Sequence, residues 1–232
     1  MALKLPGLFG TSELFNRQPG DGEVEARFGN RKEFYDEELG QPEFYDEFLG
    51  SALKTQRWTE DNYGDGSISV SSSLAVLDTG ETDTSVAKMY SVRTFSPAGN
   101  YKIIRLRARV KMNLTAANEA TCYFGLMSAQ NSMIIGHWPT NTLNTAKAHT
   151  ADDTDSTDSS EFGFLEGEYN MIEIVYRLGE RVEYWVNGIC VVSHVTPLPT
   201  LDEEIGAQFL IQTGAEGQVQ NLYVDWCEIY IR

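Results

Sequence analysis

Four cations occupy alternate positions in one stretch of the sequence and form its most distinctive polar pattern: Arg105, Arg107, Arg109 and Lys111. Alternate side chains of a β-strand share a face and lie about 6.6–6.8 Å apart, so these residues would form a ladder of like charges. Cross-strand carboxylates would neutralise the ladder. Each candidate is a single acid on a predicted strand: Glu173, Glu183 and Glu228. The alternatives are docking on an acidic partner and binding of an anionic glycan.

Carboxylates with catalytic spacing are the next group to consider. Hydrolysis of a glycosidic bond with retention needs two carboxyl groups about 5–5.5 Å apart. The densest glutamate run contains Glu161, Glu166 and Glu168, but Gly163 and Gly167 indicate a turn there. The three histidines are isolated in the sequence, and no Gly-x-Ser-x-Gly motif supports a serine hydrolase. We therefore expect no catalytic residues and no enzymatic activity.

Two loops carry candidate binding groups. The run from Asp152 to Asp158 is rich in carboxylates, but it lacks the glycine turn and the final glutamate of an EF-hand, so we expect a solvated loop. His137 and Trp138 precede a proline and could form an aromatic platform for a glycan, or could anchor the loop. The other three tryptophans lie in strand-like patterns and are expected in the core: Trp58, Trp185 and Trp226.

Composition restricts the class of protein. The chain has 232 residues and a formal net charge of −16, which argues against nucleic acid as a partner. It contains no apolar run of about 18 residues, so we expect no membrane span, and its first ten residues do not resemble a signal peptide. Its three cysteines are too scattered for a disulfide framework, so we expect reduced thiols and synthesis in a cytoplasm.

Residues 1–42 are predicted to be an extended, irregular N-terminal arm, because turn dipeptides interrupt every pattern. The segment is expected to gain order only by burying its apolar side chains against another surface. The candidate partner-binding anchors are Leu5, Leu8, Phe9, Leu14, Phe15, Phe28, Phe34 and Tyr35. The segment EFYDEELG at 33–40 recurs as EFYDEFLG at 43–50, so the two copies could dock on similar grooves or reflect local duplication.

Residues 43–232 are predicted to be one all-β domain. Alternation with a period of two is clearest over 103–112, where one face is apolar and the other carries the cations. Asn187-Gly188 between two alternating runs predicts a tight hairpin. In the last strand, alternation would place four residues on one face: Leu222, Val224, Trp226 and Tyr230. We expect Leu106, Phe124, Ile174, Tyr184 and Val224 to be buried in a β-sandwich.

Three segments of this domain resemble the concanavalin A-like lectin and glucanase jelly rolls, which include laminin-G-like modules and family 16 glycoside hydrolases. Residues 44–51 followed by Trp58 are similar to the opening of that family. Residues 181–189 are similar to its late hairpin, with Asn187 in place of the usual aspartate, and residues 222–230 to its closing strand. The resemblance covers about residues 43–232 and implies a jelly-roll β-sandwich.

The resemblance also bears on function. The hydrolase branch carries Glu-x-Asp-x-(x)-Glu on one strand and the lyase branch a Gln-x-His motif, and the sequence contains neither. Some members hold a structural calcium at positions that correspond to Glu47 and Asp225; no other cofactor is expected. We therefore expect a non-catalytic structural protein, most concretely a virion decoration or cement protein that assembles with protein partners as a homo-oligomer or on a capsid. A carbohydrate-binding module is the alternative, and a glycan hydrolase or lyase is less favoured.

Overall fold

The computed structural model describes residues 42–96, 101–115, 119–142, 144–200, 203–214 and 216–232. The predicted arm lies outside these residues except for Pro42, and so do its eight anchors and the first copy of the repeat. Among the described residues no helix is present that is long and apolar enough to cross a membrane.

Sixteen strands, numbered in chain order, form two antiparallel sheets in the described part of the chain. Sheet A contains β1 (Phe44–Asp46), β3 (Ser67–Ser71), β4 (Leu74–Asp78), β6 (Ile103–Leu114), β12 (Asn170–Arg177), β13 (Arg181–Val186), β14 (Ile189–His194) and β16 (Gln220–Ile231). Sheet B contains β2 (Trp58–Glu60), β5 (Val86–Ser91), β7 (Ala120–Met127), β8 (Ser132–His137), β9 (Thr145–Ala151), β10 (Ser156–Asp158), β11 (Phe162–Gly163) and β15 (Gly206–Thr213).

The strand order explains how the sandwich is built. Sheet A runs β14-β13-β12-β6-β16-β4-β3, with β1 also paired to β16, and sheet B runs β10-β9-β8-β7-β15-β5-β2, with β11 paired to β9. One face of each sheet contributes to a single hydrophobic core. The prediction of an all-β jelly-roll sandwich is confirmed. All five side chains expected in the core are fully buried: Leu106, Phe124, Ile174, Tyr184 and Val224.

A β-bulge in β16 changes which residues face the core. The register shifts between Val224 and Trp226, so that Trp226 lies opposite Arg109 and Tyr230 opposite Arg105 on the outer face of sheet A. The prediction that Trp226 and Tyr230 share a face with Leu222 and Val224 was therefore wrong, because one extra residue reverses the alternation.

Of the other two tryptophans expected in the core, only one lies there. Trp185 pairs with Glu173 on the outer face of sheet A, which corrects its expected place in the core. Trp58 is in the core, where only 1% of its surface is exposed.

The second copy of the repeat forms β1 and holds Trp58 in place. The ring of Phe44 packs edge-on against Trp58 at 5.2 Å, and that of Phe48 stacks on it at 5.5 Å. The buried Asp46 carboxylate accepts hydrogen bonds from Trp58 Nε1 at 3.0 Å and from the Phe48 backbone N–H at 2.9 Å. Lys54 Nζ lies 3.3 Å from the same carboxylate. This aspartate therefore links the first strand to the core.

The predicted hairpin at Asn187-Gly188 is present between β13 and β14. Both residues have positive φ, 50° and 80°, as a tight turn of this kind requires. The Asn187 side chain also accepts a hydrogen bond from the Met171 N–H at 2.9 Å and donates one to Asn170 Oδ1 at 3.0 Å. The amide thereby fixes the turn to the start of β12, and an aspartate could not donate the second bond.

Replacing Asp46 with alanine should destabilise the fold strongly. The substitution leaves two buried donors, Trp58 Nε1 and the Phe48 N–H, without their acceptor, and each loss of this kind costs about 1–3 kcal/mol. We expect the free energy of unfolding in urea to fall by at least about 2 kcal/mol. The matched control is Asp61→Ala, which removes an exposed ion pair with Lys88 and should cost less than about 1 kcal/mol. Equal losses for both variants would contradict the anchoring role of Asp46.

Candidate functional site

The outer face of sheet B presents aromatic and polar side chains across its central strands. Residues of neighbouring strands that lie directly opposite one another share a face, so the registers define this surface. Its members, from β9 through β8, β7 and β15 to β5, are Lys147, His149, Ile134, Gly136, Tyr123, Gly125, Gln208, Leu210, Lys88 and Tyr90. We call this set of residues, together with Trp138 and Asp158, the sheet B face.

Trp138 lies over Gly136 on the sheet B face. A Cβ atom at Gly136 would be 2.9 Å from Trp138 Cη2 and 2.9 Å from Tyr123 Cβ, so only glycine leaves room for the indole. The Trp138 ring is 6.4 Å from the His149 ring, at an interplanar angle of 53°. The glycine therefore allows a half-buried indole to lie against the sheet beside a histidine and a tyrosine.

His149 and Asp158 form a hydrogen-bonded pair at the edge of this face. They are directly opposite each other on β9 and β10, and Nδ1 of His149 is 2.6 Å from Oδ1 of Asp158. A carboxylate at this distance accepts the Nδ1 proton and leaves Nε2 as the second, separate nitrogen of the ring. The hydrogen bond therefore orients the His149 ring on this face.

A chain of buried hydrogen bonds runs behind His149. Tyr184 Oη donates a hydrogen bond to the His149 carbonyl at 2.8 Å and lies 2.5 Å from Thr150 Oγ1. Thr150 Oγ1 in turn lies 2.7 Å from His194 Nδ1. Because Tyr184 has one hydroxyl proton, Thr150 donates to Tyr184 and His194 Nδ1 donates to Thr150. These hydrogen bonds join β14 and β13 of sheet A to β9 of sheet B and hold the backbone that carries His149 in place.

Burial shifts the pKa values of two groups in this cluster. Burial lowers the pKa of His194, and the neighbouring His149 lowers it further. Burial raises the pKa of Tyr184 far above its ordinary range, so the tyrosine remains a neutral donor. Elsewhere on the face, burial raises the pKa of Tyr123, whose hydroxyl accepts a hydrogen bond from Gln208 Nε2 at 3.2 Å.

Glu161 lies beside the same edge of sheet B. Its carboxylate accepts hydrogen bonds from the Thr142 N–H at 3.0 Å and from Thr145 Oγ1 at 2.8 Å, and these bonds lower its pKa. Glu166 accepts a hydrogen bond from the Asn144 N–H at 3.4 Å. The two glutamates therefore hold the connection between β8 and β9, next to Trp138, rather than lying side by side on one strand.

The predicted glycan-binding pair is divided by the structure. Trp138 lies on the sheet B face, whereas His137 is fully buried and its Nδ1 is 3.1 Å from the Thr145 carbonyl. His137 is therefore an interior residue, because consecutive residues of a strand point to opposite faces. The His149–Asp158 pair was not among the predicted site residues, although the alternation of residues 145–151 and the following short turn contained a signal for it.

The cation ladder lies on the outer face of sheet A and is paired with carboxylates. Arg105 contacts Glu173 at 2.7 Å, Arg107 contacts Glu228 at 3.0 Å, and Arg109 contacts Asp225 at 2.5 Å. Lys111 lies over the rings of Tyr169 and Tyr223, at 5.1 Å and 4.3 Å.

The structure thus shows the predicted pairing of the ladder with carboxylates of neighbouring strands, but Asp225 takes the place expected for Glu183. Glu183 instead pairs with Arg177 and Arg181. Docking of the ladder on a partner stays a prediction.

The candidate metal positions have other contacts. Asp225 is paired with Arg109, and Glu47 is mostly buried. Asp152 accepts hydrogen bonds from the Thr154 and Asp155 N–H groups, which lower its pKa and stabilise the acidic loop as a turn. Across the described ranges, no group of three or more His, Cys, Asp and Glu side chains is arranged to hold a metal ion. Calcium at Glu47 and Asp225 stays a prediction from the resemblance.

Comparison with known proteins gives the fold a context. No family model matches the chain, and no curated protein matches it. Among solved structures, the catalytic domain of an endo-1,3-β-glucanase (laminarinase) from Thermotoga petrophila is similar with a TM-score of 0.63 and 13% identity, over 82% of this chain and 97% of that one. A structure reported with endo-acting O-glycanases of human gut bacteria has a TM-score of 0.67 and 12% identity, over 83% and 100%.

A third neighbour is described as a pseudo-enzyme. A pseudo β-1,3-glucanase and immunostimulatory antigen of Mycobacterium tuberculosis is similar with a TM-score of 0.64 and 14% identity, over 83% of this chain and 100% of that one. At these identities the similarity establishes the fold. The neighbours also include a family 16 glycoside hydrolase from Mycobacterium smegmatis.

These neighbours contradict the functional expectation from the sequence. Several of these similar structures are glycan hydrolases and one is described as a pseudo-glucanase, which points away from a non-catalytic structural protein and away from the expectation of no enzymatic activity. A role as a virion decoration or cement protein has no support among them. The expectation was wrong because it depended on the arm, which lies almost wholly outside the described residues, and on one missing carboxylate motif.

The buried His194 should make the fold sensitive to acid. Its pKa is lowered in the folded protein from an ordinary value of 6.5. The unfolded chain therefore binds more protons at this position, and stability is lost as the pH falls below about 6.5. We expect the free energy of unfolding in urea to decrease between pH 7 and pH 5. His194→Asn keeps a donor to Thr150 but does not titrate, and it should show a smaller decrease. An identical pH dependence in both proteins would contradict this assignment.

Proposed function

We propose that this protein is a glycan hydrolase that binds a polysaccharide across the sheet B face and cleaves it beside His149. The observation that supports the proposal is the cluster of Trp138, His149 and Asp158 on one face of a sandwich that is shared with endo-acting glucanases and glycanases. An aromatic surface next to a polarised histidine provides both a platform for a sugar ring and a group for proton transfer.

Binding would depend on the aromatic side chains of the face. The indole of Trp138 and Cβ of Tyr123 both lie close to Gly136, and Tyr90 lies farther along the face on β5. The C–H faces of pyranose rings pack on such surfaces, while Gln208 and Lys88 supply hydrogen bonds for hydroxyl groups. A surface that extends over five adjacent strands, each about 4.8 Å from the next, is long enough for several sugar units. This shape suits an endo-acting enzyme.

Cleavage is assigned to His149 as general acid. The imidazolium donates its Nε2 proton to the leaving glycosidic oxygen as the bond from the anomeric carbon to that oxygen breaks. Water adds to the anomeric carbon and releases one proton to solvent, after which His149 is reprotonated. Asp158 keeps the ring oriented and stabilises its positive charge, as a carboxylate does for a catalytic histidine in other hydrolases. In this mechanism His149, oriented by Asp158, takes the role that a catalytic carboxylate would otherwise have.

The test is release of reducing ends from laminarin, other β-glucans and mucin O-glycans by the purified chain. His149→Ala should lower kcat by about 10²-fold or more, the usual contribution of a general acid. Asp158→Asn should lower kcat less, and Trp138→Ala should mainly raise KM. The matched controls are Asp153→Asn, an exposed aspartate in the turn before β10, and Trp185→Ala on the opposite sheet; both should leave the rate unchanged.

Two outcomes would overturn the proposal. The first is a folded protein that releases no reducing ends from any of these polysaccharides. The second is a hydrolytic activity that His149→Ala and Trp138→Ala leave intact, since the reaction would then take place at another surface.

A further inference from the structure

One cross-strand row of the sheet B face leads from His149 to Tyr90. In the register of the strands, His149 of β9 lies opposite Ile134 of β8, which lies opposite Gly125 of β7. Gly125 in turn lies opposite Gln208 of β15, and Gln208 lies opposite Tyr90 of β5. The row therefore crosses the strands and connects the histidine to an aromatic side chain that is four strands away.

The middle of this row is a shallow, apolar floor. Gly125 has no side chain, and a Cβ atom there would be 2.9 Å from Ile134 Cγ2, so the isoleucine packs directly over the glycine. Ile134 is itself only 5% exposed, whereas Tyr90 at the far end of the row is 37% exposed. A ligand can therefore lie along the row and contact the tyrosine ring.

Gln208 supplies a hydrogen-bonding group in the row. Its Nε2 donates to the Tyr123 hydroxyl at 3.2 Å, which holds the side chain in place and leaves Oε1 to accept a hydrogen bond from a sugar hydroxyl. The three inner residues of the row are uncharged, and Lys88 beside it on β5 is paired with Asp61 at 2.8 Å. The row therefore suits uncharged sugar units.

We propose that a single uncharged glycan chain lies along this row, and that Tyr90 binds a sugar unit far from the bond that is cleaved beside His149. The inference rests on the proposed function. Neighbouring strands are about 4.8 Å apart, so the four intervals from β9 to β5 place Tyr90 about 19 Å from His149. A trisaccharide held for cleavage beside His149 is too short to reach the ring, whereas a longer glycan contacts it. Tyr90 therefore determines the length of glycan that the site prefers.

The position of His149 in sheet B makes the site one-sided. In the described part of the chain, β10 is the last strand of the sheet beyond β9, whereas β8, β7, β15 and β5 follow in the other direction. Sugar units that pass over β10 leave the sheet, while units that extend towards β5 remain on it. We therefore expect cleavage at one preferred bond, a fixed number of units from the unit that contacts Tyr90.

The first test is binding of a β-1,3-linked glucose heptasaccharide, measured by isothermal titration calorimetry in His149→Ala so that cleavage does not interfere. Adding Tyr90→Ala should weaken binding at least fivefold, and adding Tyr90→Phe, which keeps the ring, should change it little. The matched control is Tyr101→Ala, which removes an exposed tyrosine (43%) that precedes β6 of sheet A. This control should leave the affinity unchanged. Circular dichroism verifies that each variant is folded.

The second test uses chains that retain His149 and follows cleavage of the end-labelled heptasaccharide. The wild type should give one dominant pair of products. Tyr90→Ala should spread cleavage over several bonds and lower kcat/KM at least fivefold, while kcat/KM for the trisaccharide stays unchanged. A purely structural role of Tyr90 would lower kcat/KM for both substrates and leave the cleaved bond the same.

Two results would overturn the inference: affinity for the heptasaccharide that does not depend on Tyr90, and cleavage whose position and length preference Tyr90→Ala leaves intact. A wild type that binds the heptasaccharide through Tyr90 but cleaves no glycan gives a different answer. It would support this placement of the glycan and overturn the proposed hydrolase activity.

Discussion

The requirement that one face of each sheet be buried against the other determines most of this structure. Side chains alternate along every strand, so a regular period of two assigns each residue either to the shared core or to an outer face. The long central strand β6 follows this rule over twelve residues, whereas β16, of the same length, departs from it at its bulge. Asp46 closes the arrangement by bonding the first strand to Trp58 in the core.

The two outer faces satisfy their polar groups in different ways. On sheet A, arginines and carboxylates neutralise each other across adjacent strands, and Lys111 rests on two tyrosines. On the sheet B face, the charged residues lie towards the edges, as Lys88 with Asp61 and His149 with Asp158, while Trp138 and Tyr123 occupy the centre. The charges on the outer face of sheet A therefore neutralise one another, whereas the sheet B face presents aromatic side chains at its surface. This contrast supports the proposal of a glycan site on sheet B.

The side chains of the proposed site are brought together by strand pairing. The three histidines are far apart in the sequence. His149 and Asp158 are nine residues apart, but the hairpin of β9 and β10 places them opposite each other, 2.6 Å apart. Thr150, Tyr184 and His194 come from three strands and two sheets, and they meet behind the same histidine. Short motifs do not reveal such clusters, because the contacts are made across strands.

The all-β class, the Asn187-Gly188 turn and the burial of residues such as Leu106 and Phe124 could be predicted from the sequence, because these follow from local alternation and from backbone conformations that few residues adopt. It also indicated carboxylate partners for the arginine ladder. The faces of Trp185 and Trp226, the interior position of His137 and the contact of His149 with Asp158 could not be predicted in this way. A bulge or a register shift of one residue reverses a face, and the energy that selects it comes from packing between distant strands.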